Sequence, residues 1–186
     1  MSAPQIQIRT ALQPGDLGYV IYLHGVLYPR EYSLTGTFEA DVAIRMGEFA
    51  KRYDSRKDYF AVADVDGRVA GSIVIDGASD EVALLRWFLV HPDVRGRGVG
   101  HQLIDSALAF CRQRGFKKVT LWTMNDFKAA VHLYKQAGFR FVTLPQAAKD
   151  RDNVGLVDPA LPAAPGRPLG DPASAALLDH IGKLCM

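Results

Sequence analysis

Alternating apolar and polar positions predict a short strand near the start of the chain. Ile6 and Ile8 are apolar, and each is flanked by Gln or Arg. Because successive side chains of a strand point to opposite faces, this pattern predicts one buried and one exposed face. Longer runs predict strands at 59–65, 68–75, 82–90, 119–122 and 139–144. The run at 82–90 is the richest in apolar residues, which predicts a central strand.

Apolar residues at helical spacing predict four helices between these strands. The predicted helices cover approximately 16–27, 38–53, 100–114 and 129–136. The third carries its apolar residues on one stripe, at 103, 104, 107, 108 and 111, and Gly115 follows as a stop. In chain order, these elements predict a mixed sheet with helices on both faces.

The dipeptide Asp66-Gly67 separates two of the predicted strands. A type I′ turn needs positive φ at both of its central residues, and Asp-Gly is among the pairs that accept this conformation. The sequence therefore predicts a β-hairpin over 59–75.

The composition changes after Leu144. Six of the ten prolines lie between 145 and 172, and Pro, Ala and Gly dominate this stretch. Such a composition is typical of loops, so we predict a folded domain over 1–144 and a tail over 145–186. Within the tail, 173–184 can form a short terminal helix.

Charge and cysteine content narrow the classes of partner. The 186 residues carry 22 Lys and Arg against 20 Asp and Glu, a net charge of +2, which argues against nucleic acid or a membrane surface as a partner. Cys111 and Cys185 are too few for a disulfide framework, and we expect Cys111 to be a buried thiol. Without a secretory signal or an apolar run of roughly 18 residues, we expect a cytoplasmic protein.

A loop with three glycines, Arg95-Gly96-Arg97-Gly98-Val99-Gly100, joins the predicted central strand to the third helix. Backbone N–H groups at a helix start lack internal partners and carry the positive end of the helix dipole, so they bind phosphate. Glycines let the backbone approach an anion closely, and the two arginines add charged donors. The loop lacks the Gly-Lys-Ser/Thr of a P-loop and the spacing of a Rossmann fingerprint. An ordinary strand-to-helix turn is the alternative.

Two signatures resemble those of the GNAT acetyltransferases. Arg95-x-x-Gly98-x-Gly100, after a strand that ends Leu89-Val90-x-Pro92, is similar to the family's Arg/Gln-x-x-Gly-x-Gly/Ala motif. About 30 residues later, Ala130-x-x-x-Tyr134-x-x-x-Gly138-Phe139 is similar to its second signature. The resemblance covers roughly 6–142. It implies a GNAT-like α/β (α+β) fold with a mixed, mostly antiparallel central sheet flanked by helices on both faces.

A narrower resemblance comes from residues 14–18, 24–28, 31–32 and 121–123. These segments are similar to the acetyltransferase half of bacterial proteins that fuse a MarR-type regulator to a GNAT domain. We expect the regulator half to be absent from this chain.

The resemblance implies acetyl-CoA as the cosubstrate, with its pyrophosphate on the Gly-rich loop and its pantetheine arm along the edge of the central strand. The expected contacts are Phe88, Leu89, Val90, Arg95, Gly96, Arg97, Gly98, Val99, Gly100, Asn125 and Ala130. Family members carry an Asn seven residues before the tyrosine, a position that is Phe127 here, so Asn125 is the nearest equivalent.

Attack of an amine on a thioester needs a base for the amine and an acid for the leaving thiolate. We expect Glu81, at the start of the central strand, to be the base, with Asp80 as the alternative. Tyr134 matches the family tyrosine near the sulfur and is the expected acid; the alternative is a packing role in the core. Backbone N–H groups of Phe88 to Val90 are expected to bind the oxyanion. No His, Cys and carboxylate cluster has metal-ligand spacing, so we expect no metal.

The acceptor is expected to be an amine of a small molecule or a protein. His24, Tyr28, Glu31 and Tyr32 are candidate substrate-binding residues, because 28–32 is predicted to connect the first two helices and such loops shape pockets. The alternative function is a non-catalytic CoA-binding or protein-interaction module with the same fold.

The last strand of the family has no candidate in the tail from Pro145. A truncated tail, a divergent tail and a partner chain that completes the sheet all remain open. A bare edge after Leu144 would favour a homodimer, because unpaired strand edges seek partners.

Overall fold

The computed structural model describes residues 5–34, 36–124, 126–142 and 153–158. The strands are β1 (Ile6–Arg9), β2 (Tyr59–Val65), β3 (Arg68–Asp76), β4 (Val82–Val90), β5 (Lys118–Met124), β6 (Arg140–Val142) and β7 (Asn153–Asp158). The helices are α1 (Asp16–Tyr32), α2 (Thr37–Arg52), α3 (Val99–Arg114) and α4 (Lys128–Gln136). A short 3-10 helix, Pro92–Val94, lies between β4 and α3.

The strands form one sheet in the order β1-β2-β3-β4-β5-β7-β6. Among the described strands, only β4 and β5 run parallel, and the other neighbours are antiparallel. The predicted mixed, mostly antiparallel sheet is therefore confirmed. Because α3 connects β4 to β5, the phosphate-loop candidate lies at the parallel pair.

Two apolar cores cover the two faces of the sheet. On one face α1 and α2 pack on β2 and β3, with Val20, Met46 and Phe49 almost fully buried. On the other face α3 packs through its predicted stripe, and the thiol of Cys111, at the end of that stripe, is buried as expected. Helices on both faces are thus confirmed, and both cores include residues of β2, β3 and β4.

The hairpin between β2 and β3 has the predicted turn. Asp66 has φ 50° and Gly67 has φ 81°, which is the pair of positive angles that a type I′ turn requires. Gly115, with φ 77°, ends α3 as predicted.

Helix α1 is longer than predicted. It continues to Tyr32 with Pro29 inside it, so the prediction of a connection at 28–32 is wrong. A proline inside a helix removes the hydrogen bond from its own nitrogen and crowds the carbonyl group four residues before it, at a cost of about 3 kcal/mol. Burial of Leu27 and the contacts of Tyr28 hold the last turn in place.

The tail contributes a strand that was not predicted. β7 lies between β5 and β6 and pairs with both, for example Leu121 with Leu156 and Phe141 with Leu156. The folded domain therefore extends beyond 144, at least to Asp158, and the position beside β5 is occupied. The predicted helix at 173–184 lies outside the described residues. Among the helices that are described, none is long and apolar enough to cross a bilayer.

Candidate active site

A bulge in β4 shapes the site. Ser72 of β3 pairs with Leu89, but Val74 pairs with Arg86, so β4 carries one extra residue in this interval. Trp87 has φ 45°, an uncommon value for a bulky residue, and its carbonyl accepts a hydrogen bond from the Ser72 hydroxyl at 2.7 Å. Bulges bend a strand and redirect its side chains, often next to functional sites.

Strands β4 and β5 separate beyond this point. Their parallel register covers Val82 to Leu85 and ends at the pair Leu85–Leu121. Residues 86–90 of β4 therefore have no β5 partner in the described ladder, and this edge of the strand is open to a ligand. The resemblance implied a ligand along the edge of the central strand, and the β4–β5 register leaves that edge unpaired.

A cavity of about 420 Å³ begins at the open edge. Its lining joins the end of β4, the Gly-rich loop, the C-terminal turn of α1 and one face of α4. Of the predicted residues, the lining includes Phe88, Leu89, Val90, Arg95, Gly96, Gly98, Val99, Gly100, Ala130, Tyr28, Glu31 and Tyr32. The structure thus brings together the expected cofactor and acceptor residues except Arg97 and His24, while Asn125 is not among the described residues.

The Gly-rich loop has the conformation expected of an anion site. Gly96 and Gly98 have φ 75° and 77°, and Gly98 is the N-cap of α3. The first turn of α3 carries no acidic residue, so no carboxylate competes for its N–H groups. Arg97 is exposed and is not part of the cavity lining.

Gly100 lets three elements meet at the cavity floor. A Cβ atom at this position would lie 2.8 Å from Leu133 Cδ1 and 3.5 Å from Phe88 Cζ. The glycine therefore permits close approach of α4 and β4 to the first turn of α3.

Arg95 ties the loop to α1. Its guanidinium donates to both carboxylate oxygens of Glu31 at 2.9 Å, and its Nε donates to the Val90 carbonyl at 2.9 Å. One terminal nitrogen of Arg95 thus contacts both oxygens, and hydrogen bonds between charged groups are stronger than those between neutral groups. Glu31 and Arg95 thus close one side of the cavity and neutralise each other.

Aromatic rings form another part of the cavity wall. Tyr28 and Tyr32 contact Phe127 with ring centroids 5.2 Å and 4.2 Å apart, and Phe38 stacks on Tyr28 at 5.1 Å. The Tyr28 hydroxyl donates to the Phe88 carbonyl at 3.0 Å. Burial raises the pKa of Tyr28 well above its usual value, so this hydroxyl keeps its proton at neutral pH.

His24 lies behind this wall and does not line the cavity. Its ring is almost fully buried and stacks on Tyr28 at 5.2 Å, while Nδ1 lies 2.8 Å from the Val20 carbonyl. Nε2 has no hydrogen-bond partner in the part of the chain that the structure describes. Burial lowers the pKa of His24 to about 4, against an opposing effect of the Val20 carbonyl, so the ring is neutral at neutral pH.

Tyr134 is buried below the cavity. Its ring packs on Phe88 and Phe139 with centroids 5.6 Å and 5.8 Å away. Burial, with a smaller contribution from Tyr28, raises the pKa of Tyr134 well above its usual range. Tyr134 therefore lies in the core next to the open edge of β4. This position is compatible with both expected roles, the acid for the thiolate and packing in the core.

The structure does not bring Glu81 to the cavity. Its carboxylate is exposed and pairs with Lys117, which holds the pKa of Glu81 below its usual value. Glu81 precedes β4 and lies seven positions before Phe88, roughly 20 Å along an extended strand. Asp80 is exposed at the same end of the sheet. Glu81 was expected at the site but precedes the first residue of β4, whereas the cavity lies at the last residues of the same strand.

Several lining residues were not predicted. Leu27, Val94, His101, Phe127, Ala129, His132 and Leu133 also line the cavity. Leu133 lies one helical turn after Ala130, so helical spacing could have identified it. Asn125 lies outside the described residues. Within the described ranges, no group of three or more His, Cys, Asp and Glu side chains could hold a metal ion.

The family model of the acetyltransferase (GNAT) family matches residues 27–139. The chain is 36% identical over 89 residues to a protein of Methanocaldococcus jannaschii named as an uncharacterized N-acetyltransferase, covering 45% of this chain and 39% of that one. It is 33% identical over 82 residues to the mycothiol acetyltransferase of Propionibacterium freudenreichii, covering 44% of this chain and 22% of that one. The chain thus spans less than half the length of these relatives.

The fold is also similar to that of a solved PaiA N-acetyltransferase of Thermoplasma acidophilum in complex with coenzyme A. The TM-score is 0.67 at 15% identity, and the match covers 84% of this chain and 99% of that one. The family match includes β4, the Gly-rich loop and α4, the elements that build the cavity. The chain therefore belongs to the acetyltransferase (GNAT) family.

Proposed function

We propose that this protein is an acetyl-CoA-dependent N-acetyltransferase that transfers the acetyl group to a primary amine. The observation that carries the proposal is one cavity that joins a helix N-terminus suited to phosphate with an unpaired strand edge suited to the pantetheine amides. Family membership supports the same cosubstrate.

In this proposal the pyrophosphate of acetyl-CoA binds the backbone of Gly96 to Gly100, and Arg97 reaches it from outside the cavity. The pantetheine arm lies along Phe88 to Val90, with Ala130 and Leu133 on the other side. Asn125 is proposed as a further contact.

The amine nitrogen forms a bond to the thioester carbonyl carbon, and the carbon–sulfur bond breaks. The amine loses a proton, and the leaving thiolate gains one. Tyr134 is proposed as the acid, because its raised pKa keeps the hydroxyl protonated at neutral pH. Backbone N–H groups at the bulge of β4 are proposed to stabilise the oxyanion.

Tyr28, Glu31 and Tyr32 are proposed to line the acceptor path, with His24 supporting Tyr28 from behind. A relative named for mycothiol favours a small molecule over a protein as the acceptor. A non-catalytic CoA-binding or interaction module is the second candidate, because the carboxylate expected to be the base lies away from the cavity.

Calorimetry of acetyl-CoA binding tests the first proposal. Wild type is compared with Gly98→Glu, which puts bulk and negative charge where the phosphate would bind. Gly67→Glu is the matched control, because Gly67 has a similar positive φ and open space around an added Cβ but lies in the hairpin. Binding by wild type and Gly67→Glu but not by Gly98→Glu is expected; no binding by folded wild type would refute the proposal.

Release of the CoA thiol with a panel of amines then separates enzyme from binding module. Amine-dependent release that falls in Tyr134→Phe is expected of the enzyme. Tight acetyl-CoA binding without release by any amine would favour the module.

We further propose a cytoplasmic homodimer. The reason is the position of β6 at the end of the described sheet, because β7 occupies the place beside β5. Light scattering that gives only the mass of one chain would contradict the dimer.

A further inference from the structure

A second cavity, of about 310 Å³, lies under the C-terminal half of α2. It is on the α2 face of the sheet, where β3 ends and β4 begins. The residues that line it are Arg45, Glu48, Phe49, Arg52, Lys57, Asp76, Gly77, Ala78, Leu84 and Arg86. None of them has a role in the proposed binding of acetyl-CoA.

Two guanidinium groups in this cavity are held in place by aromatic rings and a shared carboxylate. Arg86 lies over Trp87 at 4.4 Å, and Arg52 lies over Phe49 at 5.2 Å. The Asp76 carboxylate is 2.6 Å from Arg52 and 3.5 Å from Arg86. Stacking and pairing reduce the freedom that each arginine would lose on binding a ligand.

The cavity carries more positive than negative charge. Four lining residues are basic and two, Glu48 and Asp76, are acidic, which leaves +2. The buried Asp58 carboxylate lies 4.0 Å from Arg52 and lowers this surplus to +1. A concave site with a positive surplus attracts anions, and planar guanidinium groups match carboxylate and phosphate oxygens.

Residues of the same strand, β4, line the second cavity and the first cavity. Arg86 lines the second cavity, and Phe88, two residues later, lines the first cavity. This interval is the bulge of β4, about 7 Å of extended strand. A small molecule could place an amine at the open edge and an anionic group beside Arg52 and Arg86.

We infer that the second cavity binds the anionic group of the acceptor, so that the preferred substrate is a small primary amine bearing a carboxylate or a phosphate. The inference rests on the proposed acetyltransferase function for the amine end. The anion site itself rests only on the side chains described above.

Fluorescence of Trp87 tests the anion site directly. In a Trp122→Phe background, Trp87 is the remaining tryptophan, and inorganic phosphate is titrated at constant ionic strength. A saturable change in emission is expected, with affinity at least about tenfold weaker in Arg52→Gln, because a hydrogen bond to a charged group is lost. Arg52 is half exposed, so this variant is expected to fold; Arg86→Lys is a second variant that keeps the charge but loses the planar fork.

Arg112→Gln is the matched control, because it removes the same charge from an exposed position at the end of α3. Its phosphate affinity is expected to equal that of the background protein. No saturable signal, or equal weakening in the Arg52 and Arg112 variants, would overturn the inference.

Matched acceptors test the link to transfer. The ratio of kcat/KM for phosphoethanolamine over ethanolamine, and for glycine over glycinamide, is expected to favour the anionic member in wild type and to fall about tenfold or more in Arg52→Gln. The KM for acetyl-CoA should stay unchanged. A preference for the neutral members, with normal acetyl-CoA binding, would overturn the inference. Failure to bind acetyl-CoA would instead refute the proposed function, and the phosphate titration would still decide the anion site.

Discussion

The hydroxyl of Tyr28 donates a hydrogen bond to the carbonyl oxygen of Phe88 across 3.0 Å. This contact joins the last turns of α1 to the open edge of β4, where β5 no longer provides a partner. A backbone carbonyl at a splayed edge needs a donor from outside the sheet. Tyr28 therefore stabilises the splay while its ring forms part of the cavity wall.

Replacing Tyr28 with Phe should lower the free energy of unfolding by about 1 kcal/mol, because the carbonyl loses its donor and the ring is kept. Tyr22→Phe is the control on the same helix, since Tyr22 is 53% exposed, and should change stability by less than about 0.5 kcal/mol. Urea unfolding of both variants measures the difference. Equal stabilities would show that the contact contributes nothing.

The same Gly→Ala change should have opposite effects at Gly100 and Gly47. At Gly100 the added methyl group meets Leu133 at 2.8 Å, and crowding should destabilise the protein by about 1 kcal/mol. At Gly47, inside α2, nothing lies within 4 Å, so Ala should stabilise by up to about 1 kcal/mol. Thermal unfolding compares them, and stabilisation by both would contradict the close approach at the cavity floor.

Stability should fall as the pH is lowered from 6.5 towards 4, because of His24. Its pKa is about 4 in the folded protein and 6.5 in the unfolded chain. Above 6.5 both states hold the neutral ring and the full stability is present. Between these values the unfolded chain binds the proton more readily, so up to about 3 kcal/mol is lost as the pH falls.

Unfolding free energies at several pH values test this effect of His24. In His24→Leu the stability should depend less on pH in this window, whatever its absolute value. His101→Gln, at an exposed position, should keep the dependence of wild type. An unchanged profile in His24→Leu would assign the acid sensitivity to other groups.

Glu81→Gln should leave kcat and KM unchanged if the cavity is the site of transfer. The carboxylate is exposed and pairs with Lys117 at the far end of β4. Removal of a general base usually lowers the rate by about 10²- to 10⁴-fold. Steady-state kinetics with the most reactive amine of the panel measure kcat and KM for wild type and Glu81→Gln. A fall in kcat of that size would identify Glu81 as the base.

Features determined by local chemistry could be predicted from the sequence. The Asp66-Gly67 turn and the α3 cap at Gly115 depend on positive φ, which few residues adopt. The buried stripe of α3 follows from helical spacing. The Gly-rich loop belongs to the same class, because glycines and a following helix start are adjacent in the chain.

Features determined by tertiary contacts were harder to predict. The first helix was predicted to end near Leu27, but packing of Leu27 and Tyr28 outweighs the cost of Pro29 inside the helix. β7 lies within a Pro-rich stretch whose average composition hid a short apolar segment. Glu81 could be placed only once the direction of β4 relative to the cavity was known.

The position of β7 has a consequence for how the sheet is completed. β6 leaves the ribosome before β7, yet its described strand pairing is with β7, which also covers β5. During synthesis, β6 therefore lacks its described strand partner until β7 inserts between β6 and β5. Emergence of β7, rather than emergence of β6, is expected to set when the nascent chain acquires this part of the sheet and resists proteolysis.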